Sequence, residues 1–425
     1  MDEIVEFDIP HDKSVNIIKV IGVGGGGSNA VKNMYRQGVY NVSFAICNTD
    51  SQALARADIP VRIQLGKVGL GVGGNPLKGK EAAEESIEEV KHLFDGDTKM
   101  VFVTAGMGGG TGTGAGPVIA GVAKEMGLLT VGVVTIPFAF EKKVRIQKAL
   151  QGVEEMRKNV DALLVINNER LMDIYADGTT TVKQAFSKAD DILTVATKSI
   201  AEIITIEGEV NRDFCDVQTV MKDGGGAIMS IGRANGEHRI EKAILDALNS
   251  PLLNNVDIEK ARKLLYIIYS CEKSPVVISE LSEVDDFMDG LSPDIEVLWG
   301  LYPDNTLEDD VKVAIIATGF DDECLGQVSS EDRIDVAKQE RLDVLMKQYY
   351  GERKTRKKNL VKEHGNDSCG DIANVATEKM ANIKSVDTES VGNDAQATLE
   401  NDTERTVPLL ERLKKKLETF MDETM

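Results

Sequence analysis

The chain has 425 residues, enough for two domains and an additional tail. Lys and Arg number 49 against 70 Asp and Glu, and the resulting formal charge of −21 argues against nucleic acid as a partner, which needs basic surface. Five widely spaced cysteines without a C-x-x-C pair fit a reduced cytosol better than a disulfide framework or a zinc site, and the four histidines form no metal-ligand pattern. No charged-then-apolar leader opens the chain, and the longest apolar run, 128–140, is too short to cross a bilayer. The expectation is a cytoplasmic protein with no direct membrane span.

Residues 1–14 are polar and predict a flexible arm. Residues 17–22 read as a buried strand, followed by the glycine turn Gly24 to Asn29 and a helix over about 30–37. A second strand at 42–47 ends in Asn48 and Asp50. Taken alone, this pattern also opens a dinucleotide-binding Rossmann unit, so an NAD-dependent oxidoreductase stays open here. Residues 61–76 are rich in glycine and predict a long loop, and 80–94 predict one amphipathic helix.

The strand predicted at 100–104 runs into 105–117, which holds seven glycines and two threonines in thirteen residues. A helix opening near Thr113 and a strand at 129–136 complete a βαβ unit with an anion-binding turn. Glycines let the backbone approach a phosphate, and the helix N-terminus favours its charge. Two glycine turns at the carboxyl ends of neighbouring strands can cradle one polyphosphate from two sides. An ordinary Rossmann domain has no need of the second. No G-x-x-x-x-G-K-[ST] occurs, which excludes a P-loop NTPase.

After 141–145 come a helix to about 158, a strand at 162–166 and a long helix at 182–205 that is apolar around much of its circumference, as in a central helix. Within 211–216, Asp213 and Asp216 lie three apart; capping of the next helix and site chemistry both remain open. From 224, alternating strands and helices predict a second, smaller α/β unit with a mixed sheet. Residues 321–404 are charged and polar and predict a disordered linker, with one short helix inside 334–349. Finally, Leu409, Leu410, Leu413, Leu417, Phe420 and Met421 share one helical stripe, which predicts docking to a partner groove or membrane surface, or a helix folded back on the body.

The run Gly108 to Gly114 resembles the signature loop of the tubulin/FtsZ family, and 24–30 resembles that family's first phosphate loop. The resemblance covers about 15–320 in order. It implies an α/β fold: a tubulin/FtsZ-type GTP-binding domain (15–181) with a Rossmann-like parallel sheet, a central helix (182–205), then the synergy loop and a C-terminal α/β domain (206–320). A disordered linker (321–404) and a C-terminal segment (405–425) that binds membrane-tethering and regulatory division proteins would follow. The implied ligands are GTP or GDP with Mg²⁺, and the implied partner is a second copy in a head-to-tail filament at the mid-cell division site.

The same resemblance assigns roles by position. Gly25, Gly26, Gly27, Ser28 and Asn29 would contact the phosphates, with Gly108, Gly109, Gly110, Thr111, Gly112 and Thr113 closing over them. Glu141 and Arg145 would lie at the ribose and phosphate edge. Asn168 and Asp191 would read the guanine, with Phe186 against its ring. Asn48 and Asp50 would sit near the γ-phosphate and its Mg²⁺. Asn211, Asp213 and Asp216 would act catalytically on the neighbouring subunit's nucleotide. Lys142 stands where the family commonly has glycine, and Arg212 and Cys215 fill positions often smaller or acidic. A GTP-binding scaffold without efficient hydrolysis is the alternative.

Overall fold

The computed structural model describes residues 16–39, 41–170, 181–206, 208–210, 213–250, 258–289, 291–320, 344–346 and Tyr349. The arm at 1–14, the segment at 405–425 and nearly all of the expected linker lie outside them.

Two glycine-led βα units set the frame. In the first, β1 (Ile18–Val23) turns directly into α1 (Gly24–Arg36) and returns as β2 (Val42–Asn48). In the second, β4 (Met100–Gly106) leads through the signature loop into α5 (Thr111–Glu125) and β5 (Leu129–Ile136). Both helices begin earlier than periodicity predicts, and α1 takes the glycines as its first turn. Glycine is a poor helix former, but here its missing side chain is required: a Cβ on Gly27 would stand 2.2 Å from the Thr104 carbonyl oxygen of β4.

Between these units, α2 (Ser51–Ala55) precedes a short strand, β3 (Val61–Gln64), which pairs with β2 inside the stretch expected to be loop. The single helix expected at 80–94 is two, α3 (Pro76–Glu85) and α4 (Ile87–His92). Ser86 breaks it with φ −107° and ψ 25°, and its hydroxyl accepts from the Gly66 N–H at 3.0 Å. A side chain that ties down a distant loop competes with continuation of the helix.

After β5, a 3₁₀ turn (Ala139–Glu141) leads to α6 (Lys143–Lys158) and β6 (Ala162–Asn167). The strands run in the order β3-β2-β1-β4-β5-β6, all parallel. Every residue of β5 is buried, as in a sheet covered on both faces. The order reverses between β1 and β4, and the crevice at such a switch point, beyond the strands' carboxyl ends, is where open α/β sheets bind ligands. Both glycine loops leave the sheet there.

The central helix α7 (Val182–Thr205) opens on a capping box, with the Thr181 N–H donating to Gln184 Oε1 at 2.8 Å. It buries Ala189, Leu193, Ala196, Ile200, Ala201 and Ile203, and packs against α1. Next come α8 (Phe214–Met221), β7 (Gly225–Ala234), α9 (Arg239–Leu248), β8 (Lys263–Ser270), α10 (Ile278–Asp289), β9 (Glu296–Pro303) and β10 (Val311–Thr318). The expected mixed sheet is present: β10 is antiparallel to β7 and β8, and β9 is parallel to β8. It is continuous with the first sheet, because Ala162 to Leu164 of β6 pair with Gly225 to Ala227 of β7. Tyr302 on β9 donates its hydroxyl to the Ile203 carbonyl at 3.0 Å, fixing the end of the central helix to this second half.

Candidate functional site

Val23 precedes α1 and Gly110 precedes α5 as their N-cap residues, and neither N-terminus is closed by a side-chain cap. The flanking helices differ: Asp50 caps α2 through the N–H groups of Gln52 and Ala53, and Asn75 caps α3 through Leu77. The N–H groups that open α1 and α5 therefore remain for a ligand, and two helix dipoles favour an anion at the same place. A cleft of about 330 Å³ lies there, walled on this side by Gly25, Gly26, Asn29, Gly109, Gly110, Thr111 and Gly112. A Cβ at Gly25 or Gly109 would have no atom within 4 Å, so both face open space. Thr111 is held by a 2.7 Å hydroxyl contact with Thr49, and the Thr113 hydroxyl accepts from the Gly108 N–H at 2.9 Å, which fixes the loop.

Glu141 and Arg145 form one edge of the cleft. The Glu141 carboxylate is mostly buried, accepts from the Phe138 N–H at 2.9 Å and pairs with the Arg145 guanidinium at 2.9 Å. Thr135, the next-to-last residue of β5, and Pro137, just past its carboxyl end, also line it. At the other end stand Asn168, Ala189, Asp190 and Leu193. The Asn168 side-chain oxygen is buried without a hydrogen-bond partner, as expected of a group reserved for a ligand donor. A second, more open cleft of about 510 Å³ shares Gly109, Gly110, Glu141 and Arg145 and adds Gly108, Gly73, Gly74 and Lys148.

Not every expected residue reaches the cleft. Gly27 and Ser28 are buried in the first turn of α1, Thr113 supports the loop from behind, and Asn48 and Asp50 sit at the end of β2 with the Asp50 carboxylate engaged as a cap. Asp191 accepts from Asn33 Nδ2 at 3.0 Å, tying α7 to α1, while its neighbour Asp190 faces the cleft. The side chain of Phe186 and the whole of Asn211 lie outside the described residues. Asp213 and Asp216 cap α8 reciprocally: the Asp216 N–H donates to Asp213 Oδ1 at 2.9 Å, and the Asp213 N–H to Asp216 Oδ2 at 3.2 Å. Neither lines the cleft of its own chain. Asp190, Thr135 and Leu193 were missed in the sequence. The signal for Asp190 was its spacing, since 186, 190 and 193 share one helical face and 191 does not.

Lys142 precedes α6 at φ 77° and ψ 157°, a conformation essentially reserved for glycine. Lys142→Gly is expected to stabilise the fold by about 1 kcal/mol, seen as a higher midpoint in a thermal melt. An unchanged or lower midpoint would mean that the strain is relieved elsewhere.

Burial, with the adjacent Asp191 charge adding to it, pushes the Asp190 carboxyl up to about 7. Ionising it in the folded chain costs stability, so this contribution is complete below the ordinary carboxylate range and is lost as pH rises through about 7. A base that donates two N–H groups to Asp190 needs the ionised form. Affinity for such a base is therefore expected to rise with pH up to about 7 and then level off, with proton release on binding near pH 6. Calorimetry in two buffers of different ionisation enthalpy tests this; pH-independent affinity would remove Asp190 from base contact.

Among the described residues no cluster of three or more His, Cys, Asp or Glu side chains could hold a metal ion, and no helix is long and apolar enough to cross a membrane. A Mg²⁺ ion still fits, since that ion commonly binds through substrate phosphates and water with only one or two carboxylates.

Comparison with known proteins agrees with this geometry. The model of the tubulin/FtsZ family GTPase domain matches residues 17–176, and that of the FtsZ family C-terminal domain matches 225–321. The cell division protein FtsZ of Porphyromonas gingivalis (strain ATCC BAA-308 / W83) is 53% identical over 324 residues, which cover 75% of this chain and 70% of that protein. A solved empty FtsZ dimer from M. jannaschii is 42% identical with a TM-score of 0.66, covering 71% of this chain and 88% of the other. CetZ2 from Haloferax volcanii, solved as a GTPγS-bound protofilament, is 19% identical with a TM-score of 0.60 over 78% of this chain and 98% of its own, a likeness of fold alone. The oxidoreductase reading suggested by the first glycine turn falls with these matches. The chain belongs to the tubulin/FtsZ family, as an FtsZ-type cell-division GTPase.

Proposed function

We propose that this GTPase polymerises head to tail into filaments of the cytokinetic ring at mid-cell, and that each subunit's acidic loop completes hydrolysis in its neighbour. The observation that carries the reading is a division of labour within one chain. Two uncapped helix N-termini open on a glycine-walled cleft, yet the carboxylates of Asp213 and Asp216 lie outside it. Phosphoryl transfer from GTP to water needs a positioned water and stabilised charge more than covalent chemistry. A cleft holding the phosphates but lacking a water-orienting acid is half of such a site, and a heterologous contact that does not close supplies the rest while generating a filament.

In this scheme Gly25, Gly26, Asn29 and Gly109 to Gly112 hold the phosphates, Arg145 on Glu141 meets the ribose and phosphate edge, and Asn168 with Asp190 reads the base against Phe186. Asp191 acts from behind through Asn33. Mg²⁺ would be held through the phosphate oxygens and water and would neutralise their charge; Asn48 and Asp50, at the carboxyl end of β2, are the side chains proposed to lie toward it. The segment 405–425 engages membrane-tethering and regulatory division proteins.

Phosphate release from GTP, measured against protein concentration with ATP as control, tests the shared site. A threshold followed by a rising rate per subunit is expected. A flat rate per subunit would sink the shared mechanism, and tight GTP binding without turnover would leave a scaffold.

A further inference from the structure

Beyond the C-terminal half, the chain returns to the nucleotide-binding half. Val344 to Met346 and Tyr349 are helical, Leu345 is 2% exposed and Tyr349 6% exposed. The Tyr349 ring lies beside Arg157 and Glu154 of α6, and burial raises its hydroxyl above the usual phenol range. Its carbonyl oxygen accepts from Asn167 Nδ2 at 2.8 Å, a buried bond spanning 182 positions of sequence.

Asn167 is the last residue of β6, and its other side-chain atom points the opposite way in function. Oδ1 accepts from the Glu169 N–H at 2.9 Å, so the carboxamide bridges the tail to a loop and brackets Asn168, which lines the cleft. Glu169 continues the relay, accepting from the Ala139 N–H at 2.9 Å in the 3₁₀ turn that carries Glu141 and its partner Arg145. The bonds of Asn167 and Glu169 thus flank Asn168 in sequence at one wall of the cleft and tie its loop to the 3₁₀ turn that carries Glu141 at another. Breaking the Asn167–Tyr349 bond in place leaves the buried Nδ2 donor and the Tyr349 carbonyl without each other, which packing does not tolerate cheaply.

We propose that Val344 to Met346 and Tyr349 form a latch, with Asn167 as its positioning residue, whose attachment and guanine-nucleotide binding stabilise each other. The inference rests on the assignment of Asn168, Glu141 and Arg145 to the nucleotide. Because coupling between two sites is reciprocal, each must strengthen the other by the same factor.

The test uses the full-length chain with two variants. Asn167→Asp turns the donor facing Tyr349 into an acceptor but keeps the oxygen that receives Glu169. Leu345→Asp expels the latch from outside the sheet, where loss of the fold is not expected. Hydrogen exchange at 344–349 and the affinity for GDP are measured in each. Both variants should accelerate exchange there and weaken GDP binding by about fivefold or more, the lower end of ordinary allosteric coupling. In the unaltered chain, GDP should slow exchange at 344–349 by the same factor. Faster exchange with GDP affinity held within about twofold would overturn the coupling. Weaker binding in Asn167→Asp alone would show that Asn167 acts locally, and unchanged exchange in both would show that these contacts do not hold the segment. An unaltered chain that fails to take up GDP would refute the site assignment itself, a separate failure.

Discussion

Asp216→Asn is expected to lower GTP turnover by about 10²-fold, the scale of loss when a reacting group is misplaced, while GDP binding stays at the level of the unaltered chain. The choice of asparagine separates two roles that overlap in this residue. Asp216 Oδ2 receives the Asp213 N–H, and Asp213 Oδ1 receives the Asp216 N–H, so the pair closes the start of α8 as a capping box. An alanine at either position removes a cap worth about 1 kcal/mol and confounds the reading. An asparagine carboxamide oxygen still accepts the same N–H but carries no charge to orient and polarise water at a neighbour's phosphate. Phosphate release at saturating GTP, alongside a GDP titration and a thermal melt, measures all three consequences. Turnover near that of the unaltered chain would reduce Asp216 to a cap. A parallel loss of GDP affinity would place it on its own subunit's nucleotide, against its position outside the cleft.

Gly109→Asp is expected to weaken nucleotide binding by about 10²- to 10³-fold without unfolding the protein. A Cβ at this position meets no atom within 4 Å, and the backbone is not in the left-handed region, so an L side chain fits without strain. The new carboxylate would then enter the space shared by the two clefts, against the phosphates that the helix N-termini attract. Like charges placed together in this way cost several kcal/mol, which corresponds to about 10²- to 10³-fold in affinity. Gly109→Ala, with the same backbone but no charge, should bind nearly as well as the unaltered chain. Calorimetric GDP titration compares the two, and a melt at equal pH checks the fold. Equal affinities for Asp and Ala would mean that the phosphates lie elsewhere. The contrast with Gly27 is instructive: a Cβ there runs into the Thr104 carbonyl oxygen, so that glycine serves packing between α1 and β4.

Local chemistry made much of this legible in the sequence. Two glycine turns at strand ends, a signature loop, a central helix with an apolar circumference and an acidic pair at a helix start are each written in consecutive residues, because backbone freedom, helical period and capping act over one or two turns. Tertiary structure alone decided the rest. Helical spacing separates Asp190 from Asp191, about 100° apart, but that Asp191 is taken up by Asn33 is set by the packing of a different helix. The break at Ser86 depends on a loop twenty residues away, and β3 forms only because β2 offers it an edge. Pairing of β6 with β7, which joins the two halves into one sheet, and the bond from Asn167 to Tyr349 are contacts between distant residues. The sequence carries the donors, acceptors and apolar stripes for such contacts, but which partner meets which is settled only when the chain closes on itself, because the choice is made by the free energy of the whole packed arrangement and not by any local preference.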